Sequence, residues 1–415
     1  MSISSARRVA VTGLGIITSI GESTSEFEAA LFRGSCGIGP ISLFDTMGFP
    51  CQMGAQVKNR ELKTSLDPKE AKRISRCDLL GLIAAHEAIT DSGLDLETCD
   101  RETIGVVLGG GAGGMNSWEK YRRTAWSGSS RPKPSLLLPF ATCTLTDLIA
   151  IHYKLTGCRA TISTACSSSA TSIGYGFDLI RSGEQRIVVT GGSESLSELI
   201  FAGFNALRVM DPDYCRPFDK NRRGLSLGEG ASILILEDYM QAENRGATIY
   251  AEVLGYAINS DAFHMTSPDP EAKGMSSVMA GALKNANIGA DQIDYINAHG
   301  TATRVNDQME TRAIKSVFDD TKASKLAISS TKSMVGHCLG AAGGIEALAT
   351  ILALYRQIAP PTIHLVEPDP ECDLDYVPNH ARPQEIRFAL NNSFAFGGNN
   401  TSIVFGKAQR HDKKA

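Results

Sequence analysis

Ser163-Thr164-Ala165-Cys166-Ser167-Ser168-Ser169 follows the short apolar run Ala160–Ile162 and leads into a helical pattern over Ser167–Arg181. The stretch reads as a buried strand turning into a helix, with a cysteine at the turn. A thiol there faces free backbone N–H groups and the positive end of the helix dipole, which favour the thiolate. The same N–H groups can later receive an oxyanion.

Working outward, short strand-like runs alternate with longer helical patterns. The strands are Val9–Thr12, Ile104–Leu108, Ala160–Ile162, Ile187–Thr190, Ser232–Leu236, Tyr250–Tyr256, Tyr295–Asn297, Ala327–Ser329 and Thr401–Phe405. Between them lie helices over Lys69–Asp91, Ser167–Arg181, Gly274–Ala286, Asp307–Phe318 and Gly343–Arg356. Such alternation predicts a layered α/β architecture with largely buried sheets. Each half ends in two strands that pair antiparallel, near 187–236 and near 386–405. The pattern, without visible sequence repetition, suggests a duplication: a first half over 1–255, a second over 256–410, and a charged tail at 411–415.

A chain of 415 residues with 42% apolar and 21% charged residues supports two closely packed units. The net charge of -4 gives no reason to expect nucleic acid. No stretch approaches the ~18 apolar residues of a membrane span. The ten cysteines are scattered without a C-x-x-C pair, so reduced thiols in the cytoplasm are expected and a metal site is not. Gly109-Gly110-Gly111-Ala112-Gly113-Gly114 fits neither a dinucleotide fingerprint nor a P-loop, and reads as a close backbone crossing.

Three further stretches could carry chemistry: Asn297-Ala298-His299-Gly300-Thr301-Ala302-Thr303, Ser330-Thr331-Lys332-Ser333-Met334-Val335-Gly336-His337, and Asn392-Ser393-Phe394-Ala395-Phe396-Gly397-Gly398-Asn399-Asn400. Singly, each has a bland explanation: an inert buried cysteine, a hydrogen-bonded core histidine, a surface lysine. Jointly they put Cys166, His299 and His337 at strand–loop–helix junctions, where open α/β folds place their sites.

In this order and spacing the four stretches resemble the β-ketoacyl-[acyl-carrier-protein] synthases, and most of all their synthase II type. The resemblance runs from Val9-Ala10-Val11-Thr12-Gly13 to the last strand, through Arg216-Pro217-Phe218-Asp219 and Pro360-Pro361-Thr362. It implies the thiolase fold, with duplicated halves forming a five-layered α-β-α-β-α sandwich. It implies a decarboxylative Claisen condensation with malonyl-[acyl-carrier-protein], in polyketide, polyene or fatty-acid synthesis. Cys166 would accept the acyl group, with the N–H groups of Cys166 and Phe396 as oxyanion hole. His299 and His337, as neutral Nε2–H donors, would stabilise the enolate. Lys332 would tune the electrostatics around His337, with Glu310 as its partner. Thr301 and Thr303 would bind the phosphopantetheine arm, and Ala112, Phe204, Leu225 and Phe394 would meet substrate. No cofactor is implied beyond that arm on the carrier.

Some positions depart from the synthase II pattern. Ala112 stands where a bulky aliphatic residue is usual, Leu225 where Phe is common, and Ala395 where Gly separates the two phenylalanines of the gating loop. Arg304-Val305-Asn306-Asp307 looks more like polyketide-type synthases. These departures suggest the catalytic ketosynthase of a specialised pathway, with housekeeping elongation as the alternative. The resemblance also implies a dimer, either of identical chains or with a chain-length-factor-like subunit.

Lys69, Lys72, Arg73 and Arg76 fall on one face of a helix and, with Arg208, suggest a dock for an acidic carrier protein. Three other functions compete. A non-catalytic chain-length factor would lack Cys166. A thiolase would need a second cysteine near the C-terminus, and none lies beyond Cys372. A cysteine hydrolase would leave His337 and Lys332 idle.

Overall fold

A computed structural model describes residues 7–58, 74–128 and 130–408. Its centre is a ten-stranded sheet system built from two sets of five strands. The first set is β1 (Val9–Thr18), β2 (Ile104–Gly109), β3 (Arg159–Ile162), β4 (Ile187–Glu194) and β5 (Gly230–Asp238). The second is β6 (Ala251–Ser260), β7 (Tyr295–Asn297), β8 (Ala327–Ser329), β9 (Phe388–Ala395) and β10 (Asn399–Gly406).

The spatial order is β8-β7-β9-β10-β6-β1-β5-β4-β2-β3. Each set therefore has the same internal order, third-second-fourth-fifth-first, and the sets meet only where Val9–Val11 pairs with Ala251–Val253. The expected duplication is thus written in topology. The two antiparallel pairs are β4 with β5 and β9 with β10.

The principal helices are α1 (Arg76–Asp91), α2 (Thr144–Tyr153), α3 (Ser168–Ser182), α4 (Lys273–Ala286), α5 (Arg304–Ala323) and α6 (Ala342–Arg356). α1 and α2 cover the outer face of the first sheet, and α4 and α5 the outer face of the second. Between the sheets lie α3 and α6, in contact with each other and with strands of both sets. This is the α-β-α-β-α sandwich. Both middle helices are buried over most of their surface, α3 with many small hydroxyl residues and α6 with apolar ones, and every residue of α6 from Ala342 to Leu354 is buried. With the turn before it, Leu339–Arg356 is long and apolar enough by composition to cross a membrane, and here it is a largely buried core element.

β1 runs past the expected end at Thr12 to Thr18. Its glycines belong to the strand, because α1 crosses so closely that a Cβ on Gly15 would come within 1.9 Å of the Ala84 carbonyl oxygen. α1 begins at Arg76, where Ser75 and Asp78 form a capping box. The earlier part of the helix expected from Lys69 lies outside the described residues, with Lys72, Arg73 and the 411–415 tail.

Candidate active site

The site assembles at the carboxyl ends of strands from both halves. After β3 the chain enters a 3-10 turn, Ala165–Ser167, before α3 starts at Ser168. Ala165 takes φ 53°, a left-handed conformation uncommon for a residue with a Cβ. Ser168 Oγ pins the turn, accepting from Thr164 N–H at 2.9 Å and donating to the Ala165 carbonyl at 2.6 Å. Cys166 is thereby presented at the turn ahead of the helix, as the sequence suggests, but deeply buried.

That burial changes the expected ionisation. It pushes the Cys166 thiol up to about 11, against the pull of Lys332 and of the N–H groups of Phe396 and Cys166 itself. The thiolate expected from the helix end is therefore not the resting form at neutral pH. The two N–H groups that face the sulfur are the pair expected to form the oxyanion hole.

His299 follows β7, and His337 follows β8 by way of the short helix Lys332–Val335. Glu310 holds the first loop, accepting from the N–H groups of His299 and Gly300, each at 2.8 Å. The second is fixed by main-chain bonds, His337 N–H to the Ser226 carbonyl and Gly228 N–H to the His337 carbonyl. The imidazole rings stand edge to face with centroids 5.5 Å apart, and both are buried.

Their protonation follows from their partners. Lys332 Nζ lies 3.1 Å from His299 Nδ1, and the Leu339 N–H donates to His337 Nδ1 at 3.1 Å. An ammonium and an amide can only donate, so both Nδ1 atoms accept and the protons sit on Nε2. Burial first, then Lys332, holds both histidines well below the usual imidazole range; His337 adds to the effect on His299. Two neutral Nε2–H donors result, suited to a developing enolate oxygen. Neither ring has a lone pair free to deprotonate Cys166, which argues against a cysteine hydrolase.

Lys332 acts on His337 electrostatically, as expected, while its hydrogen bond goes to His299. Its carboxylate partner departs from expectation, being Glu346 of α6 and not Glu310. Glu346 and Lys332 are both almost completely buried. Burial pushes Glu346 up to about 7 despite the attraction of Lys332. In the sequence Glu346 lies within an apolar helical run and gives no sign that it faces the lysine.

A cavity of about 230 Å³ opens above these groups, lined by Cys166, His299, His337, Thr301, Thr303, Phe204, Leu225, Phe394 and Phe396. The threonine hydroxyls are 2.9 Å apart. The Phe204 and Phe396 rings stack at 5.9 Å. Ala112 is the expected pocket residue that does not line this cavity; its N–H instead bonds to Glu194. Asp261 and Asn400 also line it, joined by a 2.6 Å hydrogen bond.

Of the expected basic stripe, Arg76 and Arg208 are among the described residues. Arg208 is exposed beside Leu207, which lines the cavity. Arg76 turns inward from the stripe, its guanidinium engaged with the fully buried Glu229 and the Val57 carbonyl. Lys69, Lys72 and Arg73 lie outside the described residues.

Comparison with known proteins agrees with this geometry. Family models for the N-terminal and C-terminal domains of β-ketoacyl synthases match residues 6–242 and 250–366. A 3-oxoacyl-[acyl-carrier-protein] synthase 2 from Synechocystis is 42% identical over 97% of this chain and 99% of its own. One of the same name from Coxiella burnetii is 40% identical, covering 97% and 99%. Among solved structures, the ishigamide ketosynthase/chain length factor superposes with a TM-score of 0.92 at 36% identity, covering 97% of this chain and 100% of the other. A type II polyketide ketosynthase in complex with its acyl-carrier protein gives 0.89 at 32%, covering 97% and 100%. With the fold, the Cys166 turn and the two Nε2–H histidines in place, the chain belongs to the β-ketoacyl synthase family of thiolase-fold condensing enzymes.

Proposed function

We propose that this condensing enzyme is the catalytic ketosynthase of a type II polyketide or polyene system, working in the cytoplasm with an acyl-carrier protein and a ketosynthase-like partner subunit. Cys166 takes the acyl group from a carrier thioester; its proton leaves with the carrier thiol, and the oxyanion is received by the Cys166 and Phe396 N–H groups. The phosphopantetheine arm of the malonyl carrier then lies along Thr301 and Thr303. Loss of carbon dioxide leaves an enolate whose oxygen accepts from Nε2–H of His299 and His337. The enolate carbon attacks the acyl-cysteine carbonyl, a carbon–carbon bond forms, and the cysteine sulfur departs. Decarboxylation supplies the driving force, so this chemistry calls for neither a redox cofactor nor a metal.

The pathway reading rests on Leu225 and Ala395, both at the cavity wall and both departures from the synthase II pattern. The polyketide-type structural relatives support it. Housekeeping fatty-acid elongation is the second reading, favoured by the 42% identity to a 3-oxoacyl-[acyl-carrier-protein] synthase 2. Intact-mass analysis after incubation with a panel of acyl-carrier thioesters separates them. Preferential loading of Cys166 by unsaturated or β-keto chains is expected. Ordinary loading and turnover with saturated long chains would sink the specialised reading, and no acylation by any thioester would sink condensation itself.

A further inference from the structure

Glu194 is a buried carboxylate that the chemistry above leaves unused. It ends β4 and is completely buried. Its partners among the described residues are backbone N–H groups. Gly111 donates to Oε2 at 3.0 Å, Ala112 to Oε1 at 3.1 Å and Oε2 at 3.2 Å, and Gly340 to Oε2 at 3.2 Å. Burial pushes the carboxyl up to about 7 against these donors. An apolar side chain would fill the space at lower cost, so the carboxylate is there for its hydrogen bonds.

The donors belong to turns from different halves. Gly111 and Ala112 lie in the glycine run after β2. Gly340 lies in the 3-10 turn Leu339–Ala341, the turn whose Leu339 N–H meets His337 Nδ1. The two turns touch backbone to backbone. A Cβ on Gly340 would come 2.4 Å from the Gly111 nitrogen and 2.9 Å from Glu194 Oε2. The glycine run is thus a close crossing, as its composition suggests, and Glu194 is the clasp on it.

We propose that Glu194 is a positioning residue for His337: by binding both turns it fixes the Leu339 N–H that sets the tautomer and orientation of the imidazole. This rests on the enolate-stabilising role of His337. Glu194 makes no hydrogen bond to the Ala165–Ser167 turn, which meets the Leu339–Ala341 turn only by packing, so acyl transfer to Cys166 should depend on Glu194 far less than decarboxylation does. The two half-reactions therefore separate its role from general structural support.

The test is Glu194→Gln in the full chain, where an amide group would turn a donor toward the N–H groups. Acylation of Cys166 is read by intact mass, and decarboxylation by carbon dioxide release from malonyl carrier. Acylation is expected within about threefold of the unmodified enzyme, while decarboxylation kcat falls about tenfold or more at nearly constant KM, the scale of a misplaced catalytic group. Glu194→Asp, which keeps the charge, should recover part of the loss. Should the glutamine variant not fold, the aspartate variant is read by the same split. Parallel loss of both half-reactions, or loss of neither, overturns the proposal. His337→Ala run alongside keeps two failures apart: undiminished decarboxylation there would refute the role of His337 itself.

Discussion

A thiol buried as deeply as Cys166 does not rest as an anion. The turn before α3 offers N–H groups, but loss of water outweighs them and the thiol rises to about 11. Only the thiolate alkylates, so below that pKa its fraction grows about tenfold per pH unit. Reaction of Cys166 with iodoacetamide, followed peptide by peptide, is therefore expected to accelerate steadily from pH 7 to 9. A plateau below pH 8 would show the helix end winning after all. At this scale the sequence was legible where chemistry sits beside glycine and hydroxyl residues, as with Cys166, His299 and His337. The partner of Lys332 was not. Glu310 precedes the lysine and Glu346 follows it by fourteen positions, and only the packing of α6 between the sheets decides which carboxylate reaches it.

Arg76 shows what periodicity leaves out at the scale of an element. A spacing of i, i+3, i+4 and i+7 puts four cations on one helical face, yet it cannot tell solvent from a buried carboxylate. Arg76 opens α1 and meets Glu229, which also accepts from the Val57 and Leu196 N–H groups. Arg76→Ala would leave that carboxylate buried with amide donors only, at a cost of about 3 kcal/mol. Urea unfolding should register this loss, while KM for carrier-bound substrate stays unchanged; a raised KM at unchanged stability would restore Arg76 to the docking surface. The strands were read well because buried β-branched runs stand out, and β7 and β8 fall where expected. β1 was cut short because glycine normally marks a strand end, whereas here it admits a crossing helix. The helix Met115–Ser127 lies on the surface, with Ser117 its one buried residue among those described, so its apolar Met115, Trp118 and Ala125 mark no core face.

The shared order of the two five-strand sets makes the molecule a duplicated fold, but not two independent ones. One core cluster draws Val9, Phe177 and Leu234 from the first half together with Tyr295, Ile345 and Phe405 from the second. The middle layer explains why. α3 comes from the first half and α6 from the second, and each packs on strands of both. The active site has the same construction, since Cys166 stands at the start of α3 while Lys332 reaches Glu346 on α6. Separating the halves would bare the apolar face of each sheet and the helix that covers it, surface too large to leave in water. Residues 1–250, which end before β6, are therefore expected when expressed alone to lack a cooperative thermal transition and to bind an apolar dye such as ANS. The full chain should lose far-UV circular dichroism and the near-UV circular dichroism of buried tyrosines such as Tyr239 and Tyr295 together, because neither sheet can keep its packing once the middle layer opens. A sharp transition in the isolated half would mean that α3 can close the first sheet without α6, and the halves would then be joined at the site but not in stability.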